Sequence, residues 1–370
     1  MRALLLALLM LGLVSACLAQ NESVRVENLP TARVTIVTSA PPTLTPSPTA
    51  TPTTAQWIFP YTIQGLRQHE YQSGAIRIGE QIAETEDYTA YLIEYPSDGL
   101  TITGVMQVPK RGKAPFPVIV MNHGFFSRSV YRSGDGTDRA ASFLNRYGYL
   151  TLSSDYRSWG GSDVGYSLFY SGLVIDVINL LDAIPSLPQA DPQHIGMWGH
   201  SMGGGVTLKV LTVDAVLHPG RIRAGVLYST VSADDADIIA RWGPGCIGDI
   251  ASGERLYGCN SSDILPLDLP AGLIQAYQDA AEDPALLRQV SALHFLDEVT
   301  APVQINYGTA DGESYGGTPP EWSKKAYEGF VQAGKQAELF AYPGEGHSFL
   351  ADQWYAFMER SAHFFDAYVK

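Results

Sequence analysis

The sequence predicts an α/β protein: a mostly parallel, doubly wound sheet with a segment inserted over its working edge. Three observations predict it. Short apolar runs alternate with helical stretches from residue 117 to residue 368, and strands that alternate with helices pair in parallel through right-handed crossovers. The run Pro117-Val118-Ile119-Val120-Met121 is apolar throughout, as a strand covered on both faces must be. The run Ile195-Gly196-Met197-Trp198 leads directly into Gly199-His200-Ser201-Met202-Gly203 and a helical stretch. That order puts a serine on a tight turn between a strand and a helix.

In chain order, residues 75–82, 88–94 and 100–108 read as antiparallel leading strands joined by polar turns. Residues 117–122 form the first buried strand, followed by a helix over 138–147, a strand over 150–153 and a helix over 168–184. The strand 194–198 precedes the serine turn and its helix. Residues 223–228, 303–307 and 337–342 complete the sheet, with helices over 320–333 and 355–368. Between 231 and 299 the alternation breaks around Cys246, Cys259 and a short helix at 273–281. Doubly wound sheets take ligands at the C-terminal strand edge, and the 231–299 segment is expected to cap that edge.

Composition limits the chemistry. The chain has 370 residues, of which 45% are hydrophobic and 17% charged, as in globular proteins. Its 38 acidic against 24 basic residues give a net charge of −14, which repels a phosphate backbone and argues against a nucleic-acid partner. Three cysteines are too few for a disulfide scaffold or a four-cysteine zinc site.

Residues 1–16, MRALLLALLMLGLVSA, carry one Arg, an apolar run and small residues, the pattern of an export signal. The run Val14-Ser15-Ala16-Cys17 resembles the lipobox of bacterial lipoproteins. That resemblance implies a diacylglycerol on Cys17 and an exported, membrane-anchored, extracytoplasmic protein. Residues 38–54 are dominated by Pro and Thr, a composition that stays extended, so 17–56 is expected to be a stalk below a folded domain at 57–370. In an exported protein Cys246 and Cys259, 13 positions apart, are expected to pair.

A serine hydroxyl is a weak nucleophile until a base takes its proton, and the base needs an orienting acid. His347, in Pro343-Gly344-Glu345-Gly346-His347 after the last strand, is the best-placed base, and Asp311, just past the strand 303–307, is the acid. Glu313 is the alternative acid. The order Ser201, Asp311, His347 is the one expected on a strand–turn–helix nucleophile. Oxyanion donors are expected at the backbone N–H groups of Phe125 and Met202, with Phe126 as the alternative to Phe125. His123 is expected to fix the loop after the strand 117–122, and His200 to face the shell around the nucleophile. Trp159, Phe125 and Phe126 either line a substrate pocket or pack the core. Asp234, Asp235 and Asp237 read as a solvated helix start.

Together, DYRSWGGSD (155–163), WGHSMGGG (198–205), the Asp311 loop and AGKQAELFAYPGEGHSF (333–349) resemble the catalytic domain of the prolyl oligopeptidase family. Dienelactone-hydrolase-like and acetyl-esterase-like proteins are related to it. The resemblance covers about residues 88–370. It implies the α/β-hydrolase fold and a serine peptidase or acyl-ester hydrolase that forms an acyl-enzyme on a small-molecule or peptide substrate, without metal or cofactor. Two features depart from it. About thirty residues between 57 and 88 leave no room for the propeller of long members, and HGFF stands where many members carry HGGP. A carboxylesterase for acetylated, feruloylated or small esters, and a non-catalytic ligand-binding lipoprotein, remain open alternatives. The oligomeric state is left open.

Overall fold

The computed structural model describes residues 51–72, 74–243 and 269–370. Cys17, Cys246, Cys259, the signal 1–16 and residues 17–50 of the expected stalk lie outside them.

Chain order begins with two short helices, α1 (Thr54–Ile58) and α2 (Ile63–Arg67), ahead of the strands β1 (Arg77–Glu84), β2 (Tyr88–Ser97), β3 (Leu100–Pro109) and β4 (Phe116–Asn122). Next come α3 (Asp138–Asn145), β5 (Leu150–Ser154), α4 (Ser171–Ala183), β6 (Ala190–His200), α5 (Met202–Leu217) and β7 (Ile222–Tyr228). The segment 231–299 supplies α6 (Asp235–Trp242), α7 (Ala271–Glu282) and α8 (Pro284–Val290). β8 (Val303–Gly308), α9 (Pro320–Gln332), β9 (Ala337–Tyr342) and α10 (Ala351–Tyr368) close the chain.

The nine strands form one sheet in the order β1-β2-β3-β5-β4-β6-β7-β8-β9. β1, β2 and β3 run antiparallel, and β3 also meets β5 antiparallel. From β5 to β9 every pairing is parallel. The chain leaves β4 towards β5 on one side and returns as β6 on the other. Connections therefore diverge between β4 and β6, and a crevice opens at their C-terminal ends. Asn122 and Gly199 are register partners at that point.

Side-chain alternation along the central strands feeds two cores. Val118 and Val120 of β4 join α4, α5 and α9 on one face, while Ile119 and Met121 join α3 and α10 on the other. Both faces are covered, which is why β4 is apolar throughout. Helix α5 is buried from Met202 to Asp214. A third cluster gathers Ile58, Phe169, Leu273, Tyr277, Leu286 and Val290, packing α1, α7 and α8 together with the turn that precedes α4.

Two expectations need correction. The stalk was drawn to residue 56, but Thr54 already begins α1, with Thr53 and Gln56 forming a capping box. Asp235 is not solvated: it is buried, 3.0 Å from the ammonium of Lys209 on α5. Its neighbours Asp234 and Asp237 both pair with Lys325. An acidic run at a helix start normally faces water, but here the helix start abuts a buried lysine. That ammonium also donates to the carbonyl of Phe169 at 2.6 Å.

Candidate active site

Ser201 sits between β6 and α5 with φ 55° and ψ −122°, a backbone that costs a non-glycine residue about 1–3 kcal/mol. The surrounding backbone enforces it. The Ser201 amide donates to the Tyr228 carbonyl at 3.0 Å, and the Ser201 carbonyl accepts from Gly204 and Val231 at 2.9 and 3.1 Å. Backbones approach so closely that a Cβ on Gly203 would lie 2.0 Å from the Asn122 carbonyl oxygen, and one on Gly199 2.2 Å from that of Gly203. The serine is thus pushed out at the crevice. Behind it the N–H of Met202 opens α5, among the amides that no carbonyl of the helix can satisfy.

His347 lies in the loop after β9 and Asp311 in the loop after β8. Nδ1 of His347 is 3.1 Å from each carboxylate oxygen of Asp311. Oδ1 also accepts from the amides of Gly312 and Thr318 at 2.8 and 2.9 Å, and Oδ2 from the Thr318 hydroxyl at 2.7 Å. Burial alone would raise the Asp311 pKa. The bond and charge of His347 and the two Thr318 donors outweigh it and hold the carboxyl below its ordinary value. Glu313 is exposed on the same loop. Helix α6 braces that loop from outside: Arg241 donates to the carbonyls of Gly312 and Ser314 at 3.0 and 2.8 Å, and Trp242 to that of Tyr315 at 2.8 Å.

Among the described residues no hydrogen bond joins the Ser201 hydroxyl to His347. Such contacts are often long before substrate binds. The imidazole of His347 stands 4.8 Å, ring centre to ring centre, from that of His200, the residue before Ser201.

The loop after β4 approaches the serine from the other side. A Cβ on Gly124 would lie 3.1 Å from Cβ of Ser201, so a larger residue here would press against the serine. His123, fully buried, places Nδ1 2.7 Å from the Gly124 carbonyl oxygen. A trans peptide points its N–H opposite to its C=O, so the Phe125 N–H is turned away from His123. Nε2 of His123 is 3.2 Å from the Asp155 carbonyl, and the ring packs against Tyr131 and Tyr156. Trp159 is buried, donates from Nε1 to the Phe126 carbonyl at 2.9 Å, and meets Phe125 edge-on at 6.5 Å. Phe125 is exposed at the rim. Trp198 is a core residue, as expected of its strand position.

Thr318, Arg241 and Trp242 escaped sequence reasoning, because nothing in their local pattern links residues 7 to 70 positions from Asp311 to its carboxylate or its loop. Tyr228 was legible only as the end of a strand.

A family model described as serine aminopeptidase, S33, matches residues 113–252, the stretch that contains Ser201. The solved acetyl xylan esterase of Paenibacillus sp. R4 superposes with a TM-score of 0.57 at 19% identity, over 87% of this chain and 96% of the esterase. The chain has the α/β-hydrolase fold. The Pyrococcus horikoshii acylaminoacyl peptidase shares the fold, with a TM-score of 0.51 at 20% identity over 77% of this chain and 42% of the peptidase. Among curated sequences, the lysophosphatidylserine lipase ABHD12 of Xenopus tropicalis is 36% identical over 96 residues, 26% of this chain and 23% of the lipase. The chain spans less than half the length of the first curated relatives it matches.

Proposed function

We propose that the protein is a serine hydrolase that cleaves an ester or peptide bond through an acyl-enzyme, with Ser201 as nucleophile, His347 as base and Asp311 as orienting acid. The observation that carries this reading is the contact of His347 Nδ1 with both oxygens of Asp311, on loops leaving the same sheet edge as the strained Ser201 turn. With Nδ1 facing the carboxylate, Nε2 is the nitrogen free to take a proton. Ser201 Oγ attacks the substrate carbonyl carbon while its proton passes to Nε2 of His347. Asp311 stabilises the resulting imidazolium. The N–H groups of Phe125 and Met202 receive the charge on the former carbonyl oxygen. The leaving alcohol or amine then departs with the proton from Nε2, and water, activated in the same way, releases the acid and restores the serine.

A fluorophosphonate probe tests the reading. Labelling is expected on Ser201 and lost in Ser201→Ala together with turnover. An unlabelled wild-type protein, or turnover retained in the variant, overturns it.

Extent of match favours esters over peptides as substrates. The chain spans 96% of an acetyl xylan esterase but 42% of an acylaminoacyl peptidase. A parallel panel of acetyl, feruloyl and short-chain esters against peptide amides separates the two.

The apolar run at 1–16 and the run Val14-Ser15-Ala16-Cys17 support an export signal and a lipid anchor on Cys17. On that reading the catalytic domain is held at a bacterial membrane, outside the cytoplasm. Cys17→Ser is expected to move the protein into the soluble fraction; unchanged fractionation removes the anchor.

A further inference from the structure

We propose that His200 is a positioning residue for His347: a side chain from the serine's own strand holds the backbone of the base and so sets where the base stands. The inference rests on the assignment of Ser201 and His347 above.

Two side chains grip the loop that carries His347. His200 ends β6 and Tyr228 ends β7, and the two are register partners. Their rings stack with centres 4.4 Å apart and planes 26° from parallel. From this stacked pair, Nε2 of His200 lies 3.0 Å from the carbonyl oxygen of His347, and the hydroxyl of Tyr228 accepts the amide of Phe349. The backbone is therefore held on both sides of Ser348, by the last residues of the neighbouring strands β6 and β7. Ties to Thr309 and Ala310 hold residues 342–345 ahead of His347, and the Leu350 amide beyond it donates to the Glu345 carboxylate.

The chemistry of the contact fixes the tautomer of His200. A carbonyl oxygen only accepts, so Nε2 must carry the hydrogen, and in a neutral ring Nδ1 is then bare. Nδ1 faces the loop after β4, where a Cβ on Gly124 would lie 3.5 Å away. The remaining neighbours are Tyr228 on β7, Trp198 on β6 with its ring centre at 6.4 Å, and the ring of His347. The charge of Asp311 acts on His200 from the loop after β8. Burial, and then the charge that His347 can carry, push the His200 pKa down to about 3, against a smaller opposing pull from the His347 carbonyl and Asp311. His200 thus stays an uncharged donor while the base beside it gains and loses its proton. A shift of the His347 carbonyl moves the imidazole with it, and misplacement of a base by a fraction of an ångström is felt in the chemical step more than in substrate binding.

Three variants test this. His200→Phe keeps a ring against Tyr228 and removes the donor, His200→Gln carries an amide donor at about the reach of Nε2, and His200→Leu replaces Phe if that protein does not fold. Rates are taken per active site titrated with the fluorophosphonate, so that misfolded protein does not count. The expected result is that Phe, or Leu, lowers kcat about tenfold, the worth of one such hydrogen bond, with KM unchanged, and that Gln recovers kcat to within about threefold. Wild-type kcat per titrated site in the donorless variant overturns the proposal, and so does a Gln variant no better than Phe. Loss of labelling in the wild-type protein instead condemns the catalytic assignment itself, so the two failures are told apart.

Discussion

Thr318 supports Asp311 from behind, with its hydroxyl 2.7 Å from Oδ2 and its amide 2.9 Å from Oδ1, while both of those oxygens face Nδ1 of His347. The acid of the site is therefore held by a threonine whose hydroxyl also lies 3.4 Å from Nδ1 of His347. Thr318→Val removes the hydroxyl donor, and a hydrogen bond to a charged group contributes about 1.5–3 kcal/mol. The carboxyl of Asp311 is depressed in the folded protein, so its stabilisation is present above the ordinary carboxylate range and is lost as pH falls through the lowered value. The stability gap between wild type and Thr318→Val should be full at pH 7 and shrink below about pH 4. Urea titrations at neutral and acid pH check this; an equal gap at both contradicts it.

The backbone of Ser201 separates catalysis from stability. Ser201→Ala keeps the positive φ and should leave the thermal midpoint nearly unchanged while abolishing turnover. Ser201→Gly relieves the strain and should raise the midpoint by about 2 °C with turnover equally absent. Calorimetry on the two variants measures the difference.

A donor at Phe125 belongs to the backbone, so the side chain is dispensable and the N–H is not. Phe125→Ala should retain kcat within a few-fold. Phe125→Pro deletes the N–H and should lower kcat by a factor of about 10²–10³. Comparable losses in both variants would point to the ring instead.

Lys209 and Asp235 join the serine's helix to α6 through a buried ion pair. Lys209→Met leaves the carboxylate buried without its partner and should cost about 3–5 kcal/mol, whereas Lys209→Met with Asp235→Leu should recover most of that loss. Chemical denaturation of the single and double variants provides the test, and additive losses would show that the pair is not coupled.

The strands and the serine turn were legible because their signals are local. An apolar run bounded by turn residues reads as a strand wherever it packs, and β2 to β9 fall where the pattern places them, with ends moved by a few residues. The glycine at 199 is likewise dictated within its own turn, by the Gly203 carbonyl, whereas the one at 203 answers to Asn122 on β4. What holds the acid and the base is not local. Thr318 and Tyr228 act across loops, and their sequence neighbourhoods carry no periodicity that marks them. Asp235 was misread for a related reason: three acids at a helix start describe a solvated turn until a lysine 26 positions earlier is folded against one of them. Helix α1 was hidden by composition, although Thr53 and Gln56 spelled its cap.

Burial of α5 on every side from Met202 to Asp214 leaves the serine mounted on a post that has nowhere to go. Adaptation to a new substrate must then be absorbed by the loops around the rim. A laboratory library intended to redirect this scaffold should spend its diversity at Phe125, Val130, Val164, Tyr315 and Leu350, all exposed on loops that leave the strand ends, and leave the post untouched.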